Sequence, residues 1–122
     1  MKLSIVIPCY NEEKTIKVII YSIQNSGIVD YEIIIIDDCS TDNTKEILNS
    51  FTDEKIKVFF QEKNRGKGSA LRKGFKEANG DICIVQDADL EYDPNEYKLM
   101  IEPILNNKAD VVYGSRFQGG RP

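Results

Sequence analysis

Short apolar runs alternate with segments of helical period along this chain. Five runs rich in β-branched residues predict strands at 3–8, 31–38, 55–61, 81–87 and 110–115. The second run, YEIIIIDD, is apolar at consecutive positions, which is typical of a strand that is buried on both faces of a parallel sheet. The runs are separated by segments long enough for crossover helices.

Four helices are predicted between these strands. Isoleucines recur at helical spacing from position 16 to 23, with Asn11 as a candidate cap and Gly27 as the stop. Further helices fit 43–51, 68–79 and 94–107. Gly80 should end the third helix, and Pro103 should kink or divide the fourth.

This alternation predicts an α/β fold with an open, mostly parallel sheet of Rossmann type and helices on both faces. Ligands of such sheets bind at the carboxyl ends of the strands, near the point where strand order reverses. The candidate positions are therefore the polar residues after each strand, at 8–12, 37–42, 61–68, 87–91 and 114–116.

Composition narrows the class of protein. A length of 122 residues and a hydrophobic content of 41% predict one domain over 1–122. The net charge of −4 argues against a broad basic surface for binding nucleic acid. Cys9, Cys39 and Cys83 are typical of buried, reduced thiols in a cytosolic protein. The longest aliphatic run, 33–36, is far below the roughly 20 residues that cross a bilayer. The ending GSRFQGGRP resembles an open loop, so we expect an acceptor-side part beyond this chain.

Two motifs admit both a structural and a functional interpretation. Asp37 and Asp38 end the second strand, where Ser40 or Asp42 can cap the next helix and a carboxylate can accept hydrogen bonds from a ribose or base. In NRGKGSALRKG, Gly66 and Gly68 are expected to free the φ angles of a loop, and Gly74 to let another element or a ligand approach. The basic side chains there, Lys67 and Arg72, can meet phosphate or simply face solvent.

The acidic stretch DADLEYDP divides into two parts. Asp93 before Pro94, with Glu96 following, is typical of a helix N-terminus. Asp87, Asp89 and Glu91 alternate, so in an extended segment they project to one side. Three hard oxygen donors suit Mg²⁺ or Mn²⁺, and a solvated acidic turn is the alternative.

One arginine completes the set of candidates. Arg116 follows the fifth predicted strand, in YGSR. Its guanidinium can supply a forked donor to phosphate oxygens. Its position on the expected ligand edge is the reason to consider it functional.

Together, IVIPCYNEE, IIIIDDCSTDNT, NRGKGSALRKG and DADLEYDP resemble the motifs of GT-A glycosyltransferases of family 2. The resemblance is strongest to the dolichol-phosphate mannosyltransferase-like branch, which loads a sugar onto a polyprenyl phosphate. It implies a nucleotide-diphosphate-sugar donor, a divalent metal (Mg²⁺ or Mn²⁺) and inversion at the anomeric carbon. It also implies a lipid-phosphate acceptor, and a cytoplasmic protein that can associate with a membrane surface as part of a longer chain.

The resemblance assigns roles to individual residues. It implies Asp87, Asp89 and Glu91 as metal ligands, although many members of the branch carry Gln where Glu91 stands. Asp89 and Arg116 are the implied catalytic residues, with Arg116 gripping phosphate at the acceptor side. The implied nucleotide-sugar contacts, with Glu12 and Asp37 near ribose and base, are Pro8, Tyr10, Asn11, Glu12, Asp37, Asp38, Lys67, Gly68, Asp87 and Ala88.

Other functions stay open at this point. A lipid phosphate is already an anion and needs no general base, whereas a sugar hydroxyl acceptor does. The chain could instead be a non-catalytic nucleotide-sugar-binding module. A flavodoxin-like signalling domain would also use an acidic cluster with Mg²⁺, and would be phosphorylated on Asp38 or Asp87.

Overall fold

The computed structural model describes residues 1–88 and the backbone of 111–113. These residues form five strands and three helices. In chain order they are β1 (Leu3–Cys9), α1 (Ile16–Gln24), β2 (Tyr31–Asp37), α2 (Thr44–Asn49), β3 (Ile56–Phe60), α3 (Lys67–Glu77), β4 (Ile82–Val85) and β5 (Val111–Tyr113). All pairings are parallel, and the spatial order is β3-β2-β1-β4-β5.

The predicted alternation is therefore confirmed, with strand and helix ends shifted by a few residues at most. The predicted helix over 94–107 lies outside the described residues. Strand order reverses between β1 and β4, because the chain moves outward through β2 and β3 and then returns to the other side of β1. A crevice at this reversal is where an open α/β sheet binds its ligands.

The two faces of the sheet carry different helices. On one face α1 and α2 bury side chains of alternate strand positions, in a cluster that includes Ile5, Ile33 and Ile84. On the other face α3 covers Ile34 and Ile36. Helix and strand come very close there, since a Cβ added at Gly74 would clash with Val6 Cγ1. The expectation that Gly74 allows close approach of another element is thus confirmed.

Two local expectations were wrong. Asn11 does not cap α1, which begins at Ile16 after Thr15; Asn11 instead adopts a left-handed backbone (φ 52°) and bonds to a neighbouring loop. Gly68 does not free a loop angle either, because it lies inside the first turn of α3. Gly66 does so, with φ 92° directly before that helix.

The amino end of the sheet contains a buried carboxylate. Glu32 is 2% exposed and accepts hydrogen bonds from the Ser4 hydroxyl (2.6 Å), the Asn79 backbone N–H (2.6 Å) and Lys57 Nζ (3.0 Å). Lys2 Nζ lies 3.8 Å from the same carboxylate. Burial alone would raise the pKa of Glu32, but these donors outweigh it and lower the pKa to about 2.

Two remaining expectations concern the cysteines and the membrane. All three cysteines are free thiols, but only Cys9 is buried, whereas Cys39 and Cys83 are partly exposed. Within residues 1–88 and 111–113, no helix is long and apolar enough to span a membrane.

Candidate active site

A cavity of about 300 Å³ opens at the carboxyl ends of β1, β2 and β4, where the strand order reverses. Its walls come from the segment after β1, from the tip of β2, from the first turns of α3 and from the end of β4. The lining residues are Pro8, Cys9, Tyr10, Glu12, Asp38, Lys67, Ala70, Asp87 and Ala88. Both an apolar floor and charged groups of each sign are thus present in one crevice.

The loops after β1 and β2 are held together by side chains at their tips. Asn11 Oδ1 accepts hydrogen bonds from the backbone N–H groups of Thr41 (2.7 Å) and Asp42 (3.3 Å). The Glu12 N–H donates to Thr44 Oγ1 at 2.9 Å. Left-handed backbone is tolerated best by Gly and Asn, which explains Asn at position 11. Much of CYNEE and STDNT is therefore used to join these two loops.

The adjacent aspartates at the tip of β2 have different partners. Asp37 is fully buried and accepts hydrogen bonds from the Ser40 N–H (3.1 Å) and hydroxyl (2.5 Å), so it shapes its own turn. Asp38 accepts from Gln61 Nε2 (2.9 Å) and from the N–H groups of Arg65 and Gly66 (2.8 Å each). Asp38 thereby anchors the glycine-containing loop that leads into α3.

An ion pair crosses the cavity. Lys67 Nζ lies 2.7 Å from Asp87 Oδ1, and the two side chains are 54% and 12% exposed respectively. Lys67 is the first residue of α3, and Asp87 lies two residues beyond β4. The ammonium of a half-exposed side chain is therefore the countercharge of a nearly buried carboxylate, and a cation or a phosphate can displace this pair.

The Thr15 hydroxyl connects the two sides of the reversal point. It contacts the Ala88 carbonyl oxygen and lies 3.1 Å from Glu12 Oε2. Glu12 and Ala88 both line the cavity. Thr15 therefore links the segment after β1 with the segment after β4.

A second, larger groove of about 530 Å³ lies between α1 and the connection from α2 to β3. Apolar and polar side chains both line it, and the carboxylate there, Asp53, accepts hydrogen bonds from the Gln24 side chain and the Lys55 backbone N–H. Ile56, at the amino end of β3, also lines it. The smaller cavity is the better candidate, because it combines opposite charges with the switch-point position.

Sequence comparison agrees with this geometry. The family model described as glycosyl transferase family 2 matches residues 4–121. The chain belongs to glycosyl transferase family 2. This finding confirms the resemblance seen in the four motifs.

Curated relatives of this family 2 chain include enzymes that are named for lipid-phosphate acceptors. A dolichol-phosphate mannosyltransferase of Pyrococcus furiosus is 39% identical over 99% of this chain and 35% of its own length. A UDP-N-acetylglucosamine–dolichyl-phosphate N-acetylglucosaminyltransferase of Methanococcus voltae is 34% identical over 93% of this chain and 51% of its own length. The chain thus spans between about a third and a half of these relatives.

Solved structures of glycosyltransferases share the fold. S. aureus TarS 1-349 in complex with UDP matches with a TM-score of 0.77 and 29% identity, over 90% of this chain and 34% of the other. Glucosyl-3-phosphoglycerate synthase of Mycobacterium tuberculosis was solved in complex with Mn²⁺, UDP and glucosyl-3-phosphoglycerate. It matches with a TM-score of 0.70 and 32% identity, over 85% of this chain and 39% of the other. The fold is therefore GT-A, as the motifs predicted.

Most of the predicted nucleotide-sugar contacts lie together. Of the ten residues, the cavity is lined by Pro8, Tyr10, Glu12, Asp38, Lys67, Asp87 and Ala88. Asn11, Asp37 and Gly68 do not line it; the first two are engaged in loop hydrogen bonds. Asp89, Glu91 and Arg116 lie outside the described residues. The roles of all these residues stay predictions.

Sequence reasoning missed Cys9 and Ala70 as lining residues. Burial, and next the charges of Asp37, Glu12 and Asp42, raise the pKa of the Cys9 thiol. Cys9 is therefore a neutral part of the cavity floor rather than a nucleophile. Cys9 was predicted to be buried and lies in the candidate segment 8–12, but it was not assigned a contact with the ligand. No local signal identifies Ala70, which reaches the cavity through the packing of α3.

Proposed function

We propose that this chain is the donor-binding part of an inverting glycosyltransferase that transfers a hexose from a UDP- or GDP-sugar to a polyprenyl phosphate. The observation that carries the proposal is the switch-point cavity, in which Lys67 and Asp87 pair at 2.7 Å. A nucleoside diphosphate needs both positive donors and a metal-binding carboxylate, and this cavity offers one of each. The family membership specifies the reaction class.

The acceptor is inferred from the relatives. Curated relatives carry names that specify dolichyl phosphate and undecaprenyl phosphate acceptors. A lipid phosphate is ionised at neutral pH, so its oxygen can attack without a general base, which suits a chain without histidine. Such an acceptor would bring the protein to a membrane surface, and we propose the cytoplasmic face.

The chemical step follows from the donor and the acceptor. An oxygen of the acceptor phosphate forms a bond to the anomeric carbon from the face opposite the leaving group. The bond from that carbon to the donor's β-phosphate oxygen breaks, and its electron pair leaves with the nucleoside diphosphate. Lys67 would carry positive charge toward the diphosphate, and the predicted role of Arg116 is to hold the acceptor phosphate.

The residues present fit a divalent cation such as Mg²⁺ or Mn²⁺. Asp87 supplies a hard carboxylate oxygen at the cavity wall, and its only ion-pair partner among residues 1–88 is a half-exposed ammonium that a cation can replace. Asp89 and Glu91 are the further predicted ligands; within the described part, no group of three acidic, cysteine or histidine side chains is assembled. When bound, the cation would neutralise charge on the leaving diphosphate.

The donor can be tested by thermal shift. We expect UDP-sugars or GDP-sugars with Mn²⁺ to raise the melting temperature of the 122-residue chain, because a ligand that binds only the folded state stabilises it. The variant Asp89→Asn should lose the Mn²⁺-dependent part of this shift while keeping its unliganded melting temperature. Unchanged calorimetric affinity of that variant for the donor would contradict the metal assignment.

Catalysis needs a separate measurement. Single-turnover transfer from radiolabelled donor to polyprenyl phosphate should yield a lipid-linked sugar. Donor binding without this product would identify the chain as a nucleotide-sugar-binding module, and transfer to a free sugar hydroxyl alone would exclude the lipid-phosphate acceptor.

A further inference from the structure

The residue at the N-terminus of α1 does not use its hydroxyl as an N-cap. Thr15 occupies the N-cap position, where threonine normally accepts a hydrogen bond from a backbone N–H of the first turn. No such bond forms in α1. The hydroxyl contacts the carbonyl oxygen of Ala88 instead, across a sequence separation of 73 residues.

The Ala88 carbonyl lies between two of the predicted metal ligands. Ala88 is 3% exposed and follows Asp87, whose carboxylate is at the cavity wall. The Ala88 carbonyl belongs to the peptide bond that leads to Asp89, the second predicted metal ligand. Fixing the direction of this carbonyl therefore constrains the backbone that joins two proposed ligands.

The second contact of the Thr15 hydroxyl is with Glu12, which is a predicted nucleotide-sugar contact. Glu12 Oε2 lies 3.1 Å from the Thr15 hydroxyl. The Ala88 carbonyl and an ionised carboxylate can only accept hydrogen bonds, and one hydroxyl carries one proton. The hydroxyl can thus donate to only one of these two oxygens at a time, so the Glu12 carboxylate and the Ala88 carbonyl compete for it.

We infer that Thr15 is a positioning residue for the metal-binding segment, acting through the Ala88 carbonyl. The inference rests on the proposed function, because it assumes that Asp87 and Asp89 hold the cation. Thr15 itself does not line the cavity, so its effect on ligands must pass through the groups it contacts. Outer-shell hydrogen bonds of this kind typically change metal affinity by roughly 10- to 100-fold.

Two substitutions at Thr15 test this inference. Thr15→Val keeps the shape and removes the hydroxyl, whereas Thr15→Ser keeps the hydroxyl. Titration of Mn²⁺ into the 122-residue chain, in the presence of UDP or GDP, can be followed by loss of the free Mn²⁺ electron paramagnetic resonance signal. We expect Mn²⁺ affinity to fall about 10-fold in Thr15→Val and to stay within about 2-fold of wild type in Thr15→Ser.

The control separates positioning from simple loss of stability. Thr41→Val removes a loop hydroxyl that accepts from Asn11 Nδ2 at 3.2 Å and does not line the cavity. It should leave Mn²⁺ affinity unchanged, and urea unfolding of all variants shows that each is folded. If Thr15→Val bound Mn²⁺ as tightly as the wild type, or if Thr15→Val and Thr15→Ser lost the same affinity, the role of Thr15 would be overturned. The proposed function would not be affected by either result. Absence of any Mn²⁺–nucleotide binding in the wild type would overturn the proposed function and the inference with it.

Discussion

Each end of the sheet holds a buried carboxylate, but the partners of the two carboxylates differ. At the amino end, Glu32 is surrounded by donors of the protein itself, including Ser4 and Lys57. At the carboxyl end, Asp87 faces a cavity and is paired with a lysine side chain that is 54% exposed. The first arrangement is closed and stabilises the fold, whereas the second leaves a charge that a ligand can take over.

Asp38 stands between these two cases. It is 5% exposed and lines the cavity, yet its oxygens accept three hydrogen bonds from the loop before α3. The three carboxylates thus range from Glu32, which has only protein partners, through Asp38 to Asp87, for which we propose a ligand-binding role. Four substitutions test this order.

Glu32→Gln should have the largest effect on stability. Removing the charge leaves Lys57 without its buried partner, and the lowered pKa of Glu32 corresponds to about 3 kcal/mol of unfolding free energy at pH 7. Urea unfolding should show a loss of about this size, and donor affinity should stay within about 2-fold. A loss of donor affinity well beyond 2-fold without the loss of stability would show that Glu32 is not a purely structural carboxylate.

The same residue predicts a pH dependence. The folded-state pKa of about 2 lies below the ordinary value of 4.5, so the stabilising contribution is complete above pH 4.5 and is lost as the pH falls through 2. The difference in unfolding free energy between wild type and Glu32→Gln should therefore shrink between pH 5 and pH 2. A constant difference across this range would show that the charge of Glu32 is not what stabilises the fold.

Asp87→Asn should do the reverse of Glu32→Gln. We expect Mn²⁺-dependent nucleotide affinity to fall by about 100-fold, with unfolding free energy changed by less than about 1 kcal/mol, since its partner is half exposed. Asp81→Asn is the matched control, because Asp81 precedes the same strand at its other end and bonds to the Lys2 N–H. Calorimetry of both variants gives the affinities; an equal loss in Asp81→Asn would contradict the assignment to Asp87.

Asp38→Asn should affect both properties to an intermediate degree. The amide cannot accept all three loop hydrogen bonds, and its NH₂ group faces other donors, so we expect a loss of about 1–2 kcal/mol in stability. Nucleotide affinity should fall by about 10-fold, because the loop that leads into α3, and so to Lys67, loses its anchor. Urea unfolding and calorimetric titration of one preparation measure stability and nucleotide affinity. A change in only one of these two properties would show that Asp38 is not intermediate between Glu32 and Asp87.

Lys67→Met should have the smallest effect of the four substitutions. Unlike the others, it should increase the affinity for Mn²⁺ in the absence of nucleotide. Without the competing ammonium, Mn²⁺ should bind Asp87 about 2- to 5-fold more tightly, while nucleotide affinity falls. The control Lys63→Met, at an exposed position of the loop before α3, removes a charge of the same sign without touching the ion pair. Spectroscopic Mn²⁺ titration compares the two variants, and weaker metal binding in Lys67→Met would show that Lys67 supports the cation site.

Local patterns predicted the elements well because periodicity is a local property. The apolar run of β2 and the isoleucines of α1 were enough to place both elements within a few residues. The same patterns could not assign partners to polar side chains. Asn11 was expected to cap a helix, and it bonds to the loop after β2 because the parallel pairing of β1 and β2 brings the two loops together.

The amino-acid sequence alone determined the α/β class, the chain order of strands and helices, and the polar residues that follow each strand. Only the tertiary structure decided that β4 returns to pair with β1, which brings Glu12, Asp38 and Asp87 to one cavity. It also separated Asp37 from Asp38 and joined Thr15 to Ala88. The physical reason is that propensity and periodicity act over a few residues, whereas these contacts depend on strand order and helix packing across the whole sheet.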